Sequence, residues 1–153
     1  MTGVAIVGAA ETTDLGRIPD MGELQLHADA AINTMADAGL TAKDIDGVAT
    51  AGASPTEIVH YLGITPRWVD GTSVGGCSFM LHVRHAVAAI QSGQAETVLI
   101  THGESGRSGV GRLRPRGAPP ASLSAQFEGP YGVMGPTTMF TIGVLRYMKE
   151  YGL

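Results

Sequence analysis

Apolar residues fall into short runs and helical stripes that alternate along the chain. Residues 4–7 form a mostly β-branched run ending at Gly8, which reads as a strand buried on both faces of a sheet. A loop over 9–20 follows. Asp20 and Glu23 have the spacing of a capping box, so a helix is expected to start near Met21. Leu24, Ala28, Ala31, Ile32 and Met35 recur at helical spacing and predict its buried stripe, with Gly39 as the stop.

The alternation continues. Residues 47–51 predict a second strand, and Pro55 opens a short helix running to Leu62. Residues 68–74 predict a third strand. Gly75-Gly76-Cys77 then turns into a helix reaching about Ser92, ended by Gly93. Residues 97–101, Thr-Val-Leu-Ile-Thr, are the clearest strand. Strands that alternate with helices argue a parallel α/β sheet with crossover helices. From 103 to 135 the pattern gives way to Gly, Pro, Ser and Arg, and residues 137–151 return to helix. The expected organisation is a βαβαβαβ core over 1–102, then a loop region with a terminal helix over 103–153.

Composition narrows the function classes. With 44% hydrophobic and 16% charged residues, the 153-residue chain can build a packed core. A net charge of −4 gives no attraction to nucleic acid or to an anionic membrane, and neither is expected as a partner. No apolar run approaches the ~18 residues of a membrane span. The start has no basic leader before its apolar run, so it does not read as a signal peptide. The single cysteine makes no internal disulfide, which fits a reducing, cytoplasmic setting.

That cysteine carries the candidate chemistry. Cys77 is expected at the first turn of a helix that follows a buried strand. Unpaired N–H groups and the helix dipole favour negative charge there, and the thiolate is the nucleophilic form. Gly75 and Gly76 strip side chains from the turn, so a thioester could approach closely. The competing reading is a packing cysteine, since free Cys is among the most buried residue types.

The segment Thr72-Ser73-Val74-Gly75-Gly76-Cys77-Ser78-Phe79, followed by Gln91-Ser92-Gly93 and Val98-Leu99-Ile100, resembles the nucleophile segment of the thiolase family. Val4-Ala5-Ile6-Val7-Gly8 and the stretch from Gly39-Leu40 to Asp46-Gly47-Val48 are similar to that family's first two strands and intervening helix. Gln126-Phe127-Glu128-Gly129-Pro130-Tyr131-Gly132 and Tyr147-Met148-Lys149-Glu150-Tyr151-Gly152 resemble the branch of sterol-carrier-protein thiolases and lipid-transfer proteins. The resemblance implies a thiolase-like half-fold: a mostly parallel sheet with crossover helices and an inserted loop region.

It further implies that Cys77 attacks an acyl-CoA thioester and that the acyl-enzyme serves carbon–carbon bond formation or thiolytic cleavage. Coenzyme A thioester is then a substrate, and no separate cofactor is implied. Family members carry their catalytic His, second Cys and Gly-rich oxyanion loop in a second half. The expectation is therefore a fragment, or a chain that pairs with a complementary one, without turnover of its own. A homodimer through the sheet edge near 68–74 is implied as well. The rival reading is a non-catalytic scaffold or lipid carrier. Relatives that are carbon–carbon lyases have lost this cysteine and act with a companion of OB-fold and zinc ribbon; the presence of Cys77 favours acyl transfer over that version.

Other residues are weighed in the same way. His102 closes the last predicted strand, where open α/β sheets present ligands. Arg107, Arg112, Arg114 and Arg116 cluster where the resemblance places loops that contact coenzyme A, and guanidinium suits phosphate. Gly76 is expected beside the thioester. Ser78, His82 and His85 share one helix side; a polar face is expected there, and no metal site, because neither Cys nor carboxylate accompanies them. Met134, Met139 and Met148 are expected to fill core gaps, and Trp68 to pack. Gly8-Ala9-Ala10 lacks the later glycines of a dinucleotide-binding fingerprint.

Overall fold

A computed structural model describes residues 3–111, 120–133 and 135–153. The chain divides into two compact units, Met1–Leu113 and Arg114–Leu153. The first is α/β. Its helices are α1 (Glu23–Asp37), α2 (Pro55–Leu62) and α3 (Ser78–Gln91), and its strands are β1 (Gly47–Thr50), β2 (Trp68–Asp70) and β3 (Val98–Thr101). The strands form a parallel sheet in the order β2-β1-β3, with Thr50 paired to Thr101 and Ala49 to Asp70. Parallel neighbours need crossovers, which α2 and α3 supply.

All four residues of the central β1 are buried. Ala31 and Met35 of α1, Ile58 of α2, and Val48, Ile64 and Leu99 make the core beside it. The stripe on α1 differs from expectation at Ile32, which is exposed. At 100° per residue, Leu24, Ala28, Ala31 and Met35 fall on one arc and Ile32 just beyond it. The helix also starts later than Asp20 suggests: Gly22 is the N-cap, and Gln25 Oε1 accepts its N–H at 2.8 Å. Gln25 supplies the reciprocal half of a capping box, which frees Glu23 to turn inward.

One carboxylate fastens the base of the sheet. Asp46 Oδ1 accepts the amides of Glu96 and Thr97, both at 2.9 Å, and Arg67 lies 3.5 Å from Oδ2. The turn into β1 is thereby tied to the turn into β3.

Two strand expectations need correction. Residues 4–7 are not a strand; Ile6 is 79% exposed and Val7 65%. A strand exists through its partners, and this segment is instead fastened to α1. Gly8 lies so close that an added Cβ would sit 2.7 Å from Thr34 O, and the Ala9 amide donates to Asp37 Oδ2 at 3.0 Å. The third predicted strand stops at Asp70, because the Asp70 carboxylate folds back onto the Thr72 amide and turns the chain.

The second unit holds short 3₁₀ and π turns over 124–131 and α4 (Pro136–Tyr151). None of the described side chains of α4 is buried. Met139 and Met148 are therefore exposed rather than core fillers, and Met134 lies outside the described residues. Among the described residues, no helix is long and apolar enough to cross a membrane.

Candidate functional site

The turn from β2 into α3 is built by short-range hydrogen bonds. Asp70 Oδ1 accepts the Thr72 amide at 2.9 Å and its hydroxyl at 2.6 Å, while Oδ2 lies 2.6 Å from His85 Nδ1. Burial alone would raise the Asp70 pKa. Bonds from the Thr72 hydroxyl, His85 and the Thr72 amide, with His82 nearby, outweigh it and hold the carboxyl below its usual value.

Gly75 follows with φ +87°, a backbone that side chains with a Cβ rarely adopt. Ser78 then closes the turn: its hydroxyl donates to Gly75 O at 2.6 Å and accepts the Val74 amide at 3.0 Å. His82 Nε2 lies 2.9 Å from Thr72 O. A carbonyl only accepts, so Nε2 carries the proton. Ser78 and His82 are wholly buried. The expected polar face is thus turned inward at these two positions: the Ser78 hydroxyl and His82 Nε2 have backbone partners in the turn, while His82 Nδ1 is enclosed without one among the described residues.

On this support sits Cys77, the N-cap of α3. It is exposed, with Sγ 3.7 Å from Val74 O. The turn beside it is open, since a Cβ on Gly76 would meet nothing within 4 Å. The helix dipole and the first-turn N–H groups point toward this space.

His102, just past β3, approaches the same turn through Phe79. Their ring centroids lie 4.7 Å apart, and His102 Nε2 is 3.5 Å from Glu104 Oε2. Cys77 follows β2 and His102 follows β3, so both lie toward the carboxyl ends of parallel strands, where such sheets bind ligands. Phe79, Thr101, His102 and Glu104, with Ala31 and Thr34 of α1, line a cavity of about 510 Å³. Arg107 lies in a short turn over 106–108, with its guanidinium near Gly16. Arg112, Arg114 and Arg116 lie outside the described residues.

Sequence reasoning missed two buried groups. His27 is wholly buried on α1, with Nδ1 2.8 Å from Thr101 Oγ1 and its ring centroid 6.2 Å from that of His102. Desolvation, aided by the His102 charge, lowers its pKa to about 4. Glu23, one turn earlier, has an enclosed Oε1. A polar residue amid the stripe Leu24, Ala28, Ala31 was the available signal for His27.

No family model matches the chain. It is 29% identical to a steroid side-chain-cleaving aldolase of Thermomonospora curvata, over 99% of this chain and 41% of that protein. It is also 29% identical to the 17-hydroxy-3-oxo-4-pregnene-20-carboxyl-CoA lyase of Mycobacterium tuberculosis, over 99% of this chain and 42% of that protein. The chain therefore spans about two fifths of the length of these relatives. Among solved structures, an Ltp2-ChsH2(DUF35) aldolase superposes with TM-score 0.69 and 30% identity, over 97% of this chain and 40% of that one. A monomeric SCP2-thiolase like protein of Mycobacterium smegmatis superposes with TM-score 0.53 and 27% identity, over 62% of this chain and 22% of that one. The fold is thiolase-like, and the relatives matched along nearly the whole chain are named as aldolase and lyase.

Proposed function

We propose that this chain forms the front portion of a thiolase-fold carbon–carbon lyase, which cleaves a β-hydroxyacyl-CoA of steroid type together with a DUF35-like companion. The observation that carries this reading is the likeness to an aldolase and a lyase over 99% of the chain, whereas the likeness to the SCP2-thiolase like protein covers 62%.

The chemistry is a retro-aldol step. A base takes the proton of the β-hydroxyl, the oxygen electrons close a carbonyl, and the carbon–carbon bond breaks. Its electron pair moves onto the thioester as an enolate, which is then protonated at carbon. A ketone and a shorter acyl-CoA result, with no further reactant. The enolate oxygen needs fixed donors, and the Cys77 amide at the open Gly76 turn is suited to that task. His102 is the candidate acceptor for the hydroxyl proton, and Arg107, Arg112 and Arg114 are candidates for the coenzyme A phosphates. A homodimer would form through the edge strand β2.

A second reading, acyl transfer to Cys77 in thiolase fashion, is favoured by one observation: an exposed thiol at the N-cap of α3. The two readings separate on one substitution. The protein is combined with its companion and given a steroid β-hydroxyacyl-CoA, or a 3-oxoacyl-CoA with CoA. Ketone release that survives Cys77→Ser supports the lyase. Thiolysis of the 3-oxo substrate, abolished by Cys77→Ser, would replace it with acyl transfer.

A further inference from the structure

Beneath the site, α1 turns two polar groups into the protein. Glu23 Oε1 and His27 Nε2 are enclosed, and neither has a hydrogen-bond partner among the described residues. They lie four residues apart, hence on one face of the helix. That face covers the chain just past β1 and β3. Glu23 Oε1 is 3.1 Å from where a Cβ on Gly52 would lie, and His27 Cδ2, bonded to Nε2, is 2.4 Å from where one on Gly103 would lie. Gly52 and Gly103 each stand two residues beyond the paired Thr50 and Thr101, so both polar atoms face the same end of the sheet.

We propose that Glu23 Oε1 and His27 Nε2 hold one ordered water between them, an internal hydration site under the carboxyl ends of β1 and β3. The donor count supports it. Thr101 Oγ1, a hydroxyl that can accept or donate, lies against His27 Nδ1; we assign the tautomer in which Nδ1–H donates to it, which leaves Nε2 an acceptor. Glu23, at the first turn of α1, also only accepts as a carboxylate. Two acceptors cannot bond to each other, and a water brings two donors. Burial of His27 keeps it neutral near pH 7, as this arrangement requires. A cation is a poorer fit: among the described residues no group of three or more His, Cys, Asp or Glu is placed to hold one. Internal waters of this kind bridge otherwise unsatisfied buried groups. Here the bridge would tie together the turns at Gly52 and Gly103, the second of which lines the cavity.

Nitrogen-15 NMR of the histidine rings in the folded chain reads the tautomer, and water-to-ring cross-relaxation reads the bound water. The expected result is a neutral His27 protonated on Nδ1, with a water cross-peak to its ring protons. Glu23→Leu should remove the cross-peak or shift the tautomer, whereas Lys43→Ala should change neither. Should Glu23→Leu fail to fold, a crystal structure of the unaltered protein decides by density about 3 Å from both atoms. A proton on Nε2, a dry site, or direct Glu23–His27 contact would overturn the proposal.

Discussion

His27 Nδ1 lies 2.8 Å from Thr101 Oγ1, so a side chain of α1 is hydrogen-bonded to the last residue of β3 inside the protein. The pair joins helix and sheet beneath the candidate site. It also stores a pH dependence. Desolvation, with the His102 charge second, lowers the folded pKa of His27 to about 4, from an ordinary 6.5. Between these values the unfolded chain binds more protons than the folded one, so stability falls as pH drops from 6.5 to 4. The loss from this group approaches about 3 kcal/mol at the acid end. Urea unfolding at pH 7 and pH 4.5 should show it, and His27→Leu should remove that increment.

Gly103→Ala tests how tightly α1 presses on the sheet. The new Cβ would lie 2.4 Å from His27 Cδ2 and 2.7 Å from Glu23 O, the second a backbone atom that cannot swing away. Overpacking of this kind costs about 1–3 kcal/mol or more. A lowered urea midpoint is expected. Gly63→Ala strains only a positive φ in open space and should cost less.

Ser78→Ala removes the hydroxyl that bridges Gly75 O and the Val74 amide in a buried turn. Leaving these groups unpaired costs about 1–3 kcal/mol. The loosened turn should also alter how fast iodoacetamide labels Cys77, measured by mass spectrometry against the unaltered chain. Unchanged labelling and stability would mean that Ser78 does not hold the turn.

Asp46→Ala releases two amides and a guanidinium at the base of the sheet. Bonds to a charged acceptor contribute about 1.5–3 kcal/mol, and Arg67, being exposed, adds little. The expected loss of about 2–3 kcal/mol is read by urea unfolding. Asp46→Asn should recover part of it through its remaining oxygen.

Periodicity in the sequence located most elements because their partners are close along the chain. The β-α-β alternation and the strand-turn-helix setting of Cys77 follow from local glycines and short apolar runs. Ile6 and Val7 defeat that logic: their β-branched character describes a strand, but pairing is a property of a neighbour, and none of the described strands takes them. Ser78 and His82 fail differently. Helical spacing puts them on a polar arc, yet backbone acceptors in the turn, Gly75 O and Thr72 O, draw that arc inward. His27 stood out as a polar residue amid an apolar stripe, but its partner was out of local reach, since Thr101 Oγ1 lies 74 residues away. Periodicity also could not choose between cleavage and acyl transfer, because the strand-turn-helix placement of Cys77 serves either.

Both outer strands of the sheet, β2 and β3, have one side that no other described strand pairs. Such margins are templates that recruit any extended peptide within reach. Handled at high concentration, the chain should oligomerise through them, and a light-scattering series against dilution would record where that begins.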